Sequence, residues 1–102
     1  LTITQCGEDG VVAYNTKGRL INCVITQCER SGILCSENAL IEVEGDQTKV
    51  DGNGTDGSYC YGLKTSDTLS RIHLLFPLTQ ESVSTNNHND QNYGGNGNIA
   101  SE

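Results

Sequence analysis

The segment Asp51-Gly52-Asn53-Gly54-Thr55-Asp56-Gly57 holds the densest set of potential ligand oxygens in the chain. Asp51, Asn53 and Thr55 alternate, as the first ligands of a calcium loop do. An EF-hand loop, however, needs glycine at its sixth position and a bidentate glutamate at its twelfth. Here those positions hold Asp56 and Gly62, so the segment is a weak candidate calcium site that reads more readily as a solvated turn. Asn53-Gly54-Thr55 is also an N-glycosylation acceptor, usable only if Asn53 points outward. Tyr59 and Tyr61, on either side of Cys60 in the same insertion, are the candidate pair for contact with a sugar.

The other reactive side chains form no catalytic pattern. The carboxylates Glu8, Asp9, Glu29, Glu37, Glu42, Glu44, Asp46, Asp51, Asp56 and Asp67 are spread along the chain. No two aspartates alternate on one strand, as a paired-carboxylate glycoside hydrolase would favour. Glu42 and Glu44 alternate beside a turn and read as a solvated face. His73 lies between Ile72 and Leu74 and should point outward, as a surface residue more than a general base. Arg19 and Arg71 occupy similar coil positions just before strands, two coils apart, and read as solvated more than catalytic. No Ser-His-Asp or Cys-His spacing is recognisable, and no residue set calls for a cofactor. The chain therefore leans away from being an enzyme.

Five cysteines in 102 residues favour an oxidising, extracellular or cell-surface location. Their spacings of 17, 5, 7 and 25 contain no C-x-x-C, which argues against a zinc ribbon or a thioredoxin-type site. The net charge of −7 argues against nucleic acid or an anionic membrane as partner. No apolar stretch is long enough to span a bilayer. With neither an initiator Met nor a signal peptide, the chain reads as a mature product or an excised segment.

These residues must be positioned by a repeat. Ile-Thr-Gln-Cys occurs at Ile3 to Cys6 and again at Ile25 to Cys28, and four residues after each cysteine comes a glycine, Gly10 or Gly32. Each glycine opens an apolar run, Val11-Val12-Ala13 or Ile33-Leu34-Cys35. Val50-Asp51-Gly52-Asn53 and Val83-Ser84-Thr85-Asn86 repeat the scheme in weaker form, giving starts at 3, 25, 50 and 83 and spacings of 22, 25 and 33. A period of about 22 is one turn of a solenoid. Further apolar alternations at Leu20-Ile21, Leu40-Ile41-Glu42-Val43 and Ile72-His73-Leu74 make each unit three short strands separated by turns rich in Gly, Asn, Asp and Ser. Stacked units place equivalent residues about 4.8 Å apart. Cys6, Cys28, Asn53 and Asn86 are then expected in one inward column, as small apolar fillers and stacked amides. Cys6 and Cys28 would be adjacent in it, either as a disulfide or as two thiols. The predicted fold is all-β: a right-handed parallel β-helix of three to four coils over residues 1–85. The polar, Asn/Gly-rich segment 86–102 follows as a last coil, a cap or a tail, with Tyr93 and Ile99 as anchors. Pro77 cannot donate to a central ladder, so Leu74 to Leu78 should be an edge, a bulge or a cap contact.

The repeat residues resemble the right-handed parallel β-helix group, the pectate-lyase-like solenoids, and in particular the open-ended β-helix proteins of algal and other microbial surfaces. The resemblance covers residues 1–86 and implies an architecture more than an activity, since the group includes lyases, hydrolases, adhesins and non-catalytic surface proteins. A lyase of this kind would need a calcium-binding acidic cluster and an Arg or Lys base on one groove face, which the scattered carboxylates do not supply. Leu1-Thr2-Ile3 starts within a strand, so the first face should be covered by further coils of the same precursor or by another copy. The expected function is that of a non-catalytic extracellular structural module that self-associates or builds a filament or surface assembly. A carbohydrate-binding or carbohydrate-active β-helix is the alternative. Ice binding would need a regular outward threonine array; Thr4 and Thr26 fit, and Asp51 and Ser84 break it.

Overall fold

The computed structural model describes residues 2–55, 60–87 and 91–101. The chain runs through three strand positions in the same order four times. The first circuit holds β1 (Thr2–Thr4), β2 (Val11–Tyr14) and β3 (Lys17–Ile21), and the second β4 (Val24–Thr26), β5 (Ile33–Ser36) and β6 (Leu40–Glu44). The third holds β7 (Lys49–Asp51), β8 (Leu63–Thr65) and β9 (Arg71–Leu74). A short helix α1 (Gln80–Val83) leads to the fourth, β10 (Ser84–Thr85), β11 (Tyr93–Gly95) and β12 (Asn98–Ser101). Equivalent strands pair in parallel to make three four-stranded sheets, ordered β1-β4-β7-β10, β2-β5-β8-β11 and β3-β6-β9-β12. The protein is all-β, with α1 its one helix among the described residues.

Period-2 alternation decides which side chains turn in. Ile3, Ile25 and Val50 are in register in the first sheet, Val11, Ile33 and Leu63 in the second, and Ile41 and Ile72 in the third. Ile25, Ile33, Val50, Leu63, Ile72 and Leu74 are fully buried. Complete burial of such a side chain is worth about 1.5–3 kcal/mol, so the middle circuits hold most of the apolar stabilisation. In the fourth circuit the columns become polar or small, with Ser84 on Val50, Tyr93 on Leu63 and Gly95 on Thr65; Ile99 on Ile72 is the exception.

The corners recur as well. The first residue after β1, β4, β7 and β10 has positive φ in every circuit: Gln5 55°, Gln27 57°, Gly52 65° and Asn86 53°. Asn15 and Glu37 do the same after β2 and β5. A single left-handed residue turns the chain sharply, which glycine and asparagine tolerate best.

Here the expected register needs correcting. The sequence period puts Val83 over Val50 and Asn86 over Asn53, but the ladder pairs Ser84 with Val50 and Thr85 with Asp51. Val83 is the last residue of α1 and enters the core from the helix, fully buried. The strand starts one residue later, so Asn86 becomes the left-handed corner and Asn87 takes the inward position. The helix was not foreseen because its signal is slight. Thr79 caps it by accepting from Ser82 N, while Ser82 Oγ accepts from Thr79 N at 2.9 Å, a capping box in which serine stands for the usual Glu or Gln. Leu75 makes the last ladder bond, its N donating to Val43 O at 2.8 Å, and Phe76 to Leu78 then leave the ladder, with Phe76 85% exposed.

Candidate functional site

The inward column at the first corner is Cys6, Cys28, Asn53 and Asn87. Asn53 is completely buried. Its Oδ1 accepts from Cys28 N at 3.0 Å, and its Nδ2 donates to Ile25 O at 3.1 Å and to Asn87 Oδ1 at 3.2 Å. Asn87 Oδ1 also accepts from Asn53 N at 2.9 Å, and Asn87 Nδ2 donates to Ser84 Oγ at 2.9 Å and Asn92 Oδ1 at 3.0 Å. The two amides thus satisfy backbone groups of the second and third circuits, as buried polar groups must.

This geometry overturns both outward readings of Asn53. A glycan needs the amide nitrogen at the surface, and here that nitrogen is buried and donates twice. A calcium ion needs the amide oxygen, which already accepts from Cys28 N. Asp51 stands beside Thr26 on the outer face of the first sheet and Thr55 is exposed, so the three suggested ligands do not converge. Asp56 lies outside the described residues. Among the described residues no three His, Cys, Asp or Glu side chains gather to hold a metal ion.

Of the suggested sugar-contacting pair, Tyr59 lies outside the described residues. Tyr61 is held by its backbone, with N donating to Ser31 Oγ at 3.0 Å and O accepting from Gly32 N at 3.1 Å. Its ring covers Gly94 closely enough that a Cβ there would come within 2.6 Å. Tyr61 therefore packs on its own chain, with its ring against Gly94. No pocket opens among the described residues.

The third sheet turns its charges outward. Arg19, Glu42 and His73 are in register on β3, β6 and β9. Arg19 Nη2 meets Glu42 Oε1 at 2.9 Å and Nη1 meets Glu44 Oε1 at 3.3 Å, with the arginine half exposed. Arg71 is not equivalent to Arg19 as the sequence implied: it pairs with Leu40 in the Lys17 column, at the start of its strand. The hydrogen bond from Arg19 holds the Glu42 carboxyl below its ordinary range, its charge and that of His73 adding to the effect. A lowered carboxylate value means that the pair's contribution is present at neutral pH and fades as pH falls through that value. Arg19→Ala is expected to return Glu42 towards the ordinary range, read by NMR titration of its side-chain carboxyl. Both groups are solvated, so little change in stability should accompany it.

The remaining candidate surfaces are the two ends of the stack. Among the described residues all three sheets run from the first circuit to the fourth, with β1, β2 and β3 as one set of outer strands and β10, β11 and β12 as the other. Behind the first set Ile3, Val11 and Leu20 are only partly buried, and behind the second Ile99. Parallel edges with half-covered apolar residues are where strand addition occurs. Comparison with known proteins finds no matching family model, no matching curated protein and no matching solved structure, so the functional reading rests on this geometry.

Proposed function

We propose that this chain is a right-handed parallel β-helix whose role is structural, as an extracellular or cell-surface module that joins further coils or further copies of itself end to end. The observation that carries the reading is that three parallel sheets finish together at each end. One incoming circuit can therefore extend all three ladders at once and cover Ile3, Val11 and Leu20 or Ile99. The right-handed sense is the one that parallel crossovers adopt almost without exception. The two ends differ, so the contact between copies is heterologous and propagates when it does not close. The charged outer faces support solubility of the sides while leaving the ends adhesive, and five cysteines suit a secreted protein.

Negative-stain electron microscopy across a concentration series tests this. Rods lengthening with concentration are expected, with an axial repeat of about 19 Å, four strand spacings per copy. Isolated particles of constant size at every concentration would overturn end-to-end association.

A further inference from the structure

Cys6 and Cys28 occupy the same corner of adjacent circuits, two residues beyond the paired Thr4 and Thr26. Backbone bonds bracket them on both sides: Gln5 N donates to Thr26 O at 3.1 Å and Glu29 N donates to Cys6 O at 2.9 Å. The two α-carbons are thereby held about one strand spacing, ~4.8 Å, apart, inside the range that a disulfide spans. Both are thiols in the structure, and Cys28 Sγ donates to Thr26 O at 3.7 Å. Cys28 is completely buried and Cys6 only partly. Neither Cys23, which lies beside Thr48, nor Cys35, between Ala13 and Thr65, has a cysteine in register.

We infer that Cys6 and Cys28 are a disulfide-forming pair, a covalent clasp between the first and second circuits that a small-molecule disulfide such as oxidised glutathione closes. The inference is independent of the end-to-end reading. Cys6, the accessible thiol, loses its proton and attacks one sulfur of the oxidant; the oxidant's S–S bond breaks and one glutathione thiolate leaves. Cys28 then loses its proton and attacks Cys6 Sγ in the mixed disulfide, expelling the second glutathione thiolate as the Cys6–Cys28 bond forms. Two protein thiols are oxidised, one disulfide is reduced to two thiols, and the two protons end on the departing glutathiones. Burial pushes the Cys28 thiol up, so the closing step should quicken as pH is raised.

The test is to incubate the native full chain with oxidised glutathione, block remaining thiols after unfolding, and map the linkage by tandem mass spectrometry after trypsin. Two of the five thiols are expected to disappear together, with one linked peptide joining Cys6 to Cys28 and not to Cys23, which shares the Cys28 peptide. In Cys6→Ser, checked for an unchanged far-UV circular dichroism spectrum, the other four should remain alkylatable. Five alkylatable thiols after treatment, a stable glutathione adduct on Cys6, or a link to another cysteine would each overturn the inference. Loss of a thiol pair in Cys6→Ser would do the same.

Discussion

Gly32→Ala is expected to destabilise the chain by about 3 kcal/mol, and Gly32→Val to prevent folding, as read by urea denaturation followed by circular dichroism. The reason is space, since the two circuits meet too closely at this glycine for any side chain. A Cβ at Gly32 would lie 2.4 Å from Val50 Cγ1, 2.8 Å from Gly62 O and 3.0 Å from Asn53 Nδ2. None of these can withdraw cheaply. Val50 is fully buried, Gly62 O accepts from Ile33 N at 2.8 Å, and Asn53 Nδ2 is committed to Ile25 and Asn87. Gly32 N itself donates to Tyr61 O, so moving the corner would break ladder bonds on both sides. Overpacking a tight core costs about 1–3 kcal/mol even where the backbone can yield, and here the obstruction is partly backbone. Gly10 and Gly62 face similar obstructions one circuit away on either side, which makes the three a structural column. Gly18 supplies the contrast: a Cβ there meets nothing within 4 Å. Gly18→Ala should be neutral, or stabilise by up to about 1 kcal/mol through reduced freedom of the unfolded chain.

Gly10 and Gly32 of that column are legible in the sequence because each opens an apolar run, and the same regularity exposes most of the stack. Ile3 with Ile25 follows from alternation plus a period of 22, whereas Ile33 with Leu63 and Ile41 with Ile72, 30 and 31 residues apart, follow once the insertion after Asp51 is allowed for. Legibility fails where apolar residues give out. In the fourth circuit the inward positions include Ser84, Tyr93 and Gly95, so backbone pairing and amide bonds hold β10 and β11 with little hydrophobic pattern to read. Val83 made this worse, because a buried valine at a helix end resembles the first inward residue of a strand. Arg71 shows a related limit: without the ladder, a strand's start cannot be told from its middle, and a two-residue difference moves a charge off the Arg19–Glu42 column. On the functional side, the absence of an acid–base constellation in the sequence led to the structural reading. The feature that supports it, three sheets that share their first and last circuits, comes from topology and has no residue signature of its own.

The one-residue shift at the last corner has a measurable consequence: the order of destabilisation should be Asn53→Ala, then Asn87→Ala, then Asn86→Ala. Removing the Asn53 amide takes a partner from Cys28 N, Ile25 O and Asn87 Oδ1 in the core. Each unsatisfied buried group costs about 1–3 kcal/mol, and because Asn87 Oδ1 keeps its bond from Asn53 N, the total should be about 4 kcal/mol. Asn87 is 4% exposed and nearer the end of the stack. Ser84 Oγ retains its own bond to Asn92 O, so its alanine variant should lose about 3 kcal/mol. Asn86 contributes mainly its tolerance of a φ of 53°. Asn86→Ala should therefore cost about 1 kcal/mol, and Asn86→Gly should be neutral or slightly stabilising. Urea denaturation of the four variants, with midpoints compared at constant slope, separates the two registers. In the register implied by the repeat alone, Asn86 would be the buried rung, Asn86→Gly would be as damaging as Asn53→Ala, and Asn87 would be dispensable. If that order were observed, β10 would have to slide by one residue. Val83 would then take the inward place of Ser84 in the ladder, and the first sheet would present a different edge to any incoming copy.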